Sequence, residues 1–240
     1  MIDHMASLKD ARRYLMDLPV QLDEYLDDAY RGGLSKLIAK FDDFFNLVAS
    51  VNLRASEDRV ITPVEATAIS DYGFVLLLKL VDLMERLDLP HKRREIEQIS
   101  LVLARWTVSY KGTIHHLEPV VNAIAQLANM LSDKNSLLAL SELIADIVSY
   151  CSQELKQDPD KQEAMRPWRL LHINRGIVAT RTHDLDVMKH AFDELLVYLP
   201  QEAPGFFAEG MREMDSMDYP PHVRKVMEFY FENKPVQSLH

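Results

Sequence analysis

Cysteine occurs once in these 240 residues, at Cys151, and a single thiol excludes an intramolecular disulfide and any metal site built from several cysteines. Glycine is also scarce, at 7 residues, and the sequence holds no glycine-rich phosphate loop, no G-x-S-x-G elbow and no H-E-x-x-H pair. Positive charge is in deficit: 27 lysines and arginines face 37 aspartates and glutamates, a formal net charge of -10. Broad nucleic-acid binding needs a basic face to displace counterions and is therefore not expected. Long apolar runs are missing too, because Lys79, Asp82 and Glu85 punctuate the most hydrophobic stretch, so no membrane span is expected. The opening residues MIDHMASLKDARRYLMD lack the apolar core and small-residue cleavage site of a signal peptide. With the lone thiol, this points to a reducing, cytoplasmic setting.

What is present is helical periodicity. Hydrophobic residues make up 48% and charged ones 27%, an ordinary folded composition, and most of the 11 prolines stand where one helical pattern stops and the next begins. The expected fold class is all-α: stacked antiparallel helical hairpins, as an α-α superhelix or an irregular helical bundle. Residues 62–112 organise it. Thr62, Pro63 and Glu65 form a helix start from a hydroxyl cap, a proline at the first helical position and a glutamate reaching back. Across 74–84 only Lys79 and Asp82 are charged, so this helix must be covered on several sides. Pro90 stops it, and a second helix carries Ile96, Ile99, Leu103, Trp106 and Tyr110 three and four apart as far as Gly112. The expected central core is Leu76, Leu80, Leu83, Leu103 and Trp106.

Residues 1–60 read as N-terminal helices, interrupted at Pro19 and again at Gly32-Gly33, with a stripe of Leu34, Leu37, Phe41, Phe44 and Val48. Residues 61–160 read as two long-helix hairpins, 63–111 and 113–157. The second carries a stripe from Leu137 through Cys151 to Leu155 and ends at the turn 158–161. Residues 161–240 read as helices at 166–182, 185–199, 206–214 and 223–230 with a polar tail at 237–240. The three regions are expected to form one continuous helical domain.

In the last region Gly176 and Gly210 stand 34 residues apart, each mid-way along the first helix of a hairpin, and Phe192 and Pro200 follow Gly176. Met188 and Leu195 lie between, Phe206 precedes Gly210, and Pro235 closes the second copy one place late. This pattern resembles two degenerate tetratricopeptide repeats over about 169–235. The resemblance implies a close helix crossing at Gly176, expected against Phe192. It also implies an inner, ligand-facing side with Leu170, Ile173 and Ile177 and a helix-packing side with His172 and Arg175. The side chains with which some family members clamp a carboxylate terminus have no counterparts here, so that function is not implied.

Candidate chemistry is sparse. His115 and His116 are adjacent, so on a helix they point about 100° apart and cannot share one metal. The acidic run Asp23, Glu24, Asp27 and Asp28 lacks the Glu-x-x-His partners of a di-iron bundle and reads as a solvated face. Cys151 lies on an apolar stripe and reads as packing. No catalytic residue, cofactor or metal site is assigned. One cluster stands out: Trp168, Arg169, His172 and Arg175 fall within an arc of about 120° opposite Leu170, Ile173 and Ile177. Basic groups beside an indole can hold an acidic peptide or an anion, whereas the competing reading has them neutralised by an acidic helix. The expected function is a non-catalytic protein-interaction or scaffold module. Its partner would be another protein or a second copy of itself, in a homodimer formed through an aliphatic, Met-rich surface. The alternative is an enzyme or small-ligand receptor with a pocket between the long helices around 74–106.

Overall fold

A computed structural model describes residues 7–57, 59–158 and 163–233. Pro235, the tail 237–240 and residues 159–161 of the expected turn lie outside them. The described residues form eleven α-helices: α1 (Leu8–Gln21), α2 (Asp28–Ser56), α3 (Pro63–Arg86), α4 (Pro90–Ser109), α5 (Glu118–Met130), α6 (Lys134–Tyr150), α7 (Gln153–Lys156), α8 (Pro167–Thr182), α9 (Leu185–Tyr198), α10 (Ala203–Ser216) and α11 (Pro221–Glu232). One 3-10 turn spans Asp23–Tyr25, and no strand occurs among the described residues. The fold is all-α. Its contacts divide the chain into two compact units, one from the described part of Met1–Ala123 with Ser149–Gln157, the other from Ile124–Val148 with the described part of Asp158–His240.

The first unit is centred on α3 and α4. Thr62 accepts a hydrogen bond from the Glu65 amide at 3.2 Å with Pro63 behind it, but the Glu65 carboxylate, expected to reach back, pairs instead with Arg54 of α2. Pro90 does more than stop α3: it also starts α4, and Asp88 makes the turn between them at φ 52°. Leu76, Leu80, Leu103 and Trp106 are buried, but Leu83 is half-exposed and Met84 fills its place in the core. Two expected breaks are absent. Pro19 lies inside α1, near its end, where the missing amide removes one hydrogen bond while Leu15, Leu18 and Leu22 are fully buried around it. Gly32 and Gly33 lie inside α2, whose buried stripe from Leu34 to Val51 outweighs a helix-propensity cost of about 1 kcal/mol per glycine. In the other direction, α6 ends sooner than its stripe suggests. Cys151 leaves the helix to form a bridge, in which the Ile114 amide donates to the Tyr150 carbonyl at 2.8 Å and the Ser152 amide to the Ile114 carbonyl at 2.9 Å.

In the second unit α8 pairs with α9, α10 with α11, and α11 also packs on α9. The ring of Phe192 meets those of Phe206, Phe207 and Tyr230 edge to face, with centroids 5.2–5.7 Å apart. Gly176 is closely approached, but by Phe206 of α10 rather than by Phe192. Gly210 is approached by Met227 of its own hairpin, so the two glycines have different neighbours. Arg181 reaches from α8 to the end of α5 and donates to the carbonyls of Ala128 and Leu131, which the helix leaves without amide partners.

A candidate docking cleft on helices α8 and α10

Helix α8 starts at Pro167, and its sequence puts indole, imidazole and guanidinium on successive turns of one side. That side faces inward: Trp168, His172 and Arg175 are only 2%, 1% and 3% exposed. Trp168 meets the His172 and Tyr198 rings at 4.5 and 5.5 Å, and His172 stacks on Tyr198 at 4.9 Å. Arg175 pairs with Glu194 of α9 and donates at 2.7 Å to Nδ1 of His190. Burial, reinforced by the Arg175 charge, pushes His172 down to about 3, so the ring is neutral at physiological pH and adds no positive charge. Neither of its nitrogens has a hydrogen-bond partner among the described residues.

Arg169 is separated from the other three. Its Nε donates to Glu202 at 3.0 Å, and Arg166 donates to the same carboxylate at 3.1 Å while holding Asp158 at 2.8 Å. Burial alone would raise the Glu202 carboxyl; the hydrogen bonds from Arg169 and Arg166 outweigh it and hold the group below its ordinary range. The structure thus gathers Trp168, His172 and Arg175 beneath Tyr198 and answers both arginine charges with carboxylates from neighbouring segments.

The opposite side of α8 is open. Ile173 and Ile177, the latter 41% exposed, face Phe206 and Met214 of α10, with Met217 beyond them and Met227 of α11 beneath. Together they line a cleft of about 750 Å³. Arg169 and Arg181 also line it, but both guanidiniums are engaged within the fold. Its carboxylates are Glu202, Glu209 and Glu213. Glu209 pairs only with the exposed Arg212, and Glu213 has no ion-pair partner among the described residues. The floor is apolar and rich in methionine; the rim is acidic. Sequence reading missed Phe206, Met214, Met217 and Met227 as lining residues, although Met211, Met214 and Met217 recur at intervals of three.

A smaller hollow of about 340 Å³ lies between α9 and α11, where Leu185, Val226 and Phe229 are flanked by Lys189, His222 and Lys225. Elsewhere, His115 bonds Asp71 at 3.0 Å and His116 lies against the Phe74 ring. Burial pushes the Cys151 thiol up to about 12, away from the range in which a thiolate forms readily. Among the described residues no group of three His, Cys, Asp or Glu side chains could hold a metal ion, and no helix is long and apolar enough to cross a membrane. No known protein family, curated protein or solved structure matches the chain.

Proposed function

We propose that this chain is a non-catalytic protein-interaction module of the helical-repeat type, and that the cleft on α8 and α10 seats an amphipathic helix of a partner protein. The observation that carries this is the open floor of Ile173, Ile177, Phe206, Met214 and Met217. Helix-in-groove recognition uses such floors, and methionines repack around apolar side chains of different shapes. Glu209 and Glu213 on the rim favour a lysine or arginine beside those apolar anchors. The tetratricopeptide resemblance supports the same reading, because its register makes Ile173 and Ile177 the ligand-facing side of α8. The buried free thiol of Cys151 supports a cytoplasmic setting.

The enzyme or receptor reading has less behind it. Around 74–106 the space is taken by Leu76, Leu77, Leu80 and Leu103, and polar groups there pair with one another, as the Ser70 and Thr107 hydroxyls do at 2.6 Å. Selection from a library of random helical peptides tests the docking reading. Binders should share a large apolar anchor with a basic residue within one turn of it, and Ile177→Asp should abolish their binding without changing the fold. Binders indifferent to Ile177→Asp would overturn it.

A further inference from the structure

We infer that the helix this cleft takes is α11 of a second copy, so that the chain assembles head to tail. The inference rests on the docking reading above and adds the identity of the occupant. Helix α11 has two unlike sides. Met227 is buried and forms part of the cleft of its own copy. Phe229, two residues on, lies about 200° round the helix and is 58% exposed. Lys225 stands one turn before Phe229, so one outer stripe sets an exposed aromatic anchor next to a lysine, with His222 a turn before and Glu232 a turn beyond. Lys189 of α9 adds a further positive charge beside it.

These charges are largely unanswered. Lys225 has no ion-pair partner among the described residues, and Lys189 has only the almost fully exposed Asp186 at 4.0 Å. The nearby Asp193 is occupied by the Tyr230 hydroxyl at 2.6 Å. An exposed phenylalanine with Lys225 and Lys189 beside it is the chemistry that an apolar, Met-lined floor with glutamates at its rim recognises. Phe229 cannot enter its own cleft, because the helix that bears it already supplies the wall through Met227. The contact therefore joins two copies through different surfaces. Such a contact has no two-fold axis, and each added copy leaves one cleft and one α11 free, so assembly continues beyond a pair unless a ring closes.

Sedimentation velocity on the full chain over a wide concentration range tests this, with Phe229→Asp and Ile177→Asp as the two interface variants and circular dichroism as the check on folding. Both positions are exposed; should Phe229→Asp misfold, Lys225→Glu replaces it. The wild type is expected to grow past a dimer as concentration rises. Each variant alone should weaken association by about thirtyfold or more, the effect of losing a central aromatic or aliphatic anchor. Mixed in equal amounts, the two variants should form a 1:1 pair and stop there, because each retains one of the two complementary surfaces. A wild type that stays monomeric, a dimer insensitive to both variants, or a mixture that stays monomeric would overturn the inference. In those cases helical peptides still bound through Ile177 would leave the docking reading standing, and loss of both would remove both.

Discussion

The ring of Phe206 lies across the bare Cα of Gly176: a Cβ on that glycine would sit 2.5 Å from the ring's Cζ. The same relationship recurs in the first unit, where a Cβ on Gly73 would sit 2.7 Å from Cζ of Phe44. What differs is the room each ring has to move. Phe206 borders the open cleft and is half-buried, whereas Phe44 is fully buried against the rings of Phe45 and Tyr72.

Gly73→Ala should therefore cost about 1–3 kcal/mol, the usual range for overpacking. Gly176→Ala should cost less, about 1 kcal/mol or below, because Phe206 can swing into the cleft and the alanine gains helix propensity. Urea unfolding of the two variants checks this. Equal losses would contradict the difference in freedom.

Gly33 gives the opposite sign. A Cβ there meets nothing within 4 Å, and the residue lies inside α2 on an exposed side. Gly33→Ala should raise stability by about 1 kcal/mol and shift the urea midpoint upward. A lower midpoint would show that helical propensity does not decide this position.

These glycines also show what the sequence could disclose. The cap at Thr62 and the start at Pro63 were legible because the partners lie within one turn of each other, whereas the Glu65 carboxylate is drawn off by Arg54 of the preceding helix. Gly32-Gly33 and Pro19 were not, because long-range burial of Leu34, Phe41, Leu15 and Leu18 overrides the local preference to break. The helical wheel grouped Trp168, His172 and Arg175 correctly on one side of α8. It could not say that this was the buried side, since the deciding groups, Tyr198, Glu194 and Phe206, arrive from other helices. The cleft was half visible: Ile173 and Ile177 marked one wall, but nothing in the sequence placed Met227 beneath them.

His172 makes the second unit sensitive to acid. The ordinary histidine value is near 6.5, and burial, then Arg175, lower it to about 3 in the fold. Between these values the unfolded chain binds a proton that the folded chain does not, so stability is fully present above about pH 6.5 and falls as pH drops towards 3. The slope from this group approaches about 1.4 kcal/mol per pH unit. His172→Phe removes it, and neutral-pH stability should hold because neither nitrogen has a hydrogen-bond partner to lose. Urea unfolding at pH 7.5 and pH 5 compares the two proteins; identical pH dependence would refute the assignment.

Arg166 and Arg169 share Glu202 but differ in burial. Arg166 is enclosed with Asp158, whereas Arg169 is partly exposed. Arg166→Met leaves two carboxylates short of a cation, one of them buried, and should cost about 3–5 kcal/mol. Arg169→Gln should cost about 1 kcal/mol or less. The melting temperatures of the two variants rank them, and the reverse order would refute this assignment.

The bond from Arg181 to the end of α5 spans 53 residues of chain. At ribosomal speeds of about 5–20 residues per second, the carbonyls of Ala128 and Leu131 exist for roughly 3–10 s before the arginine that answers them is made. In the finished fold Ser149–Gln157 belongs to the other unit, so the last residues of that unit are made before the helices α8 to α11 that share a unit with 124–148. The apolar residues of α6, among them Leu140, Ile144 and Ile147, then stand without their eventual cover on the nascent chain. Synthesis order thus gives this protein a brief period as a client for chaperones. A chain truncated after Thr180 and released from the ribosome should be cut within α6 by a protease that spares the full chain.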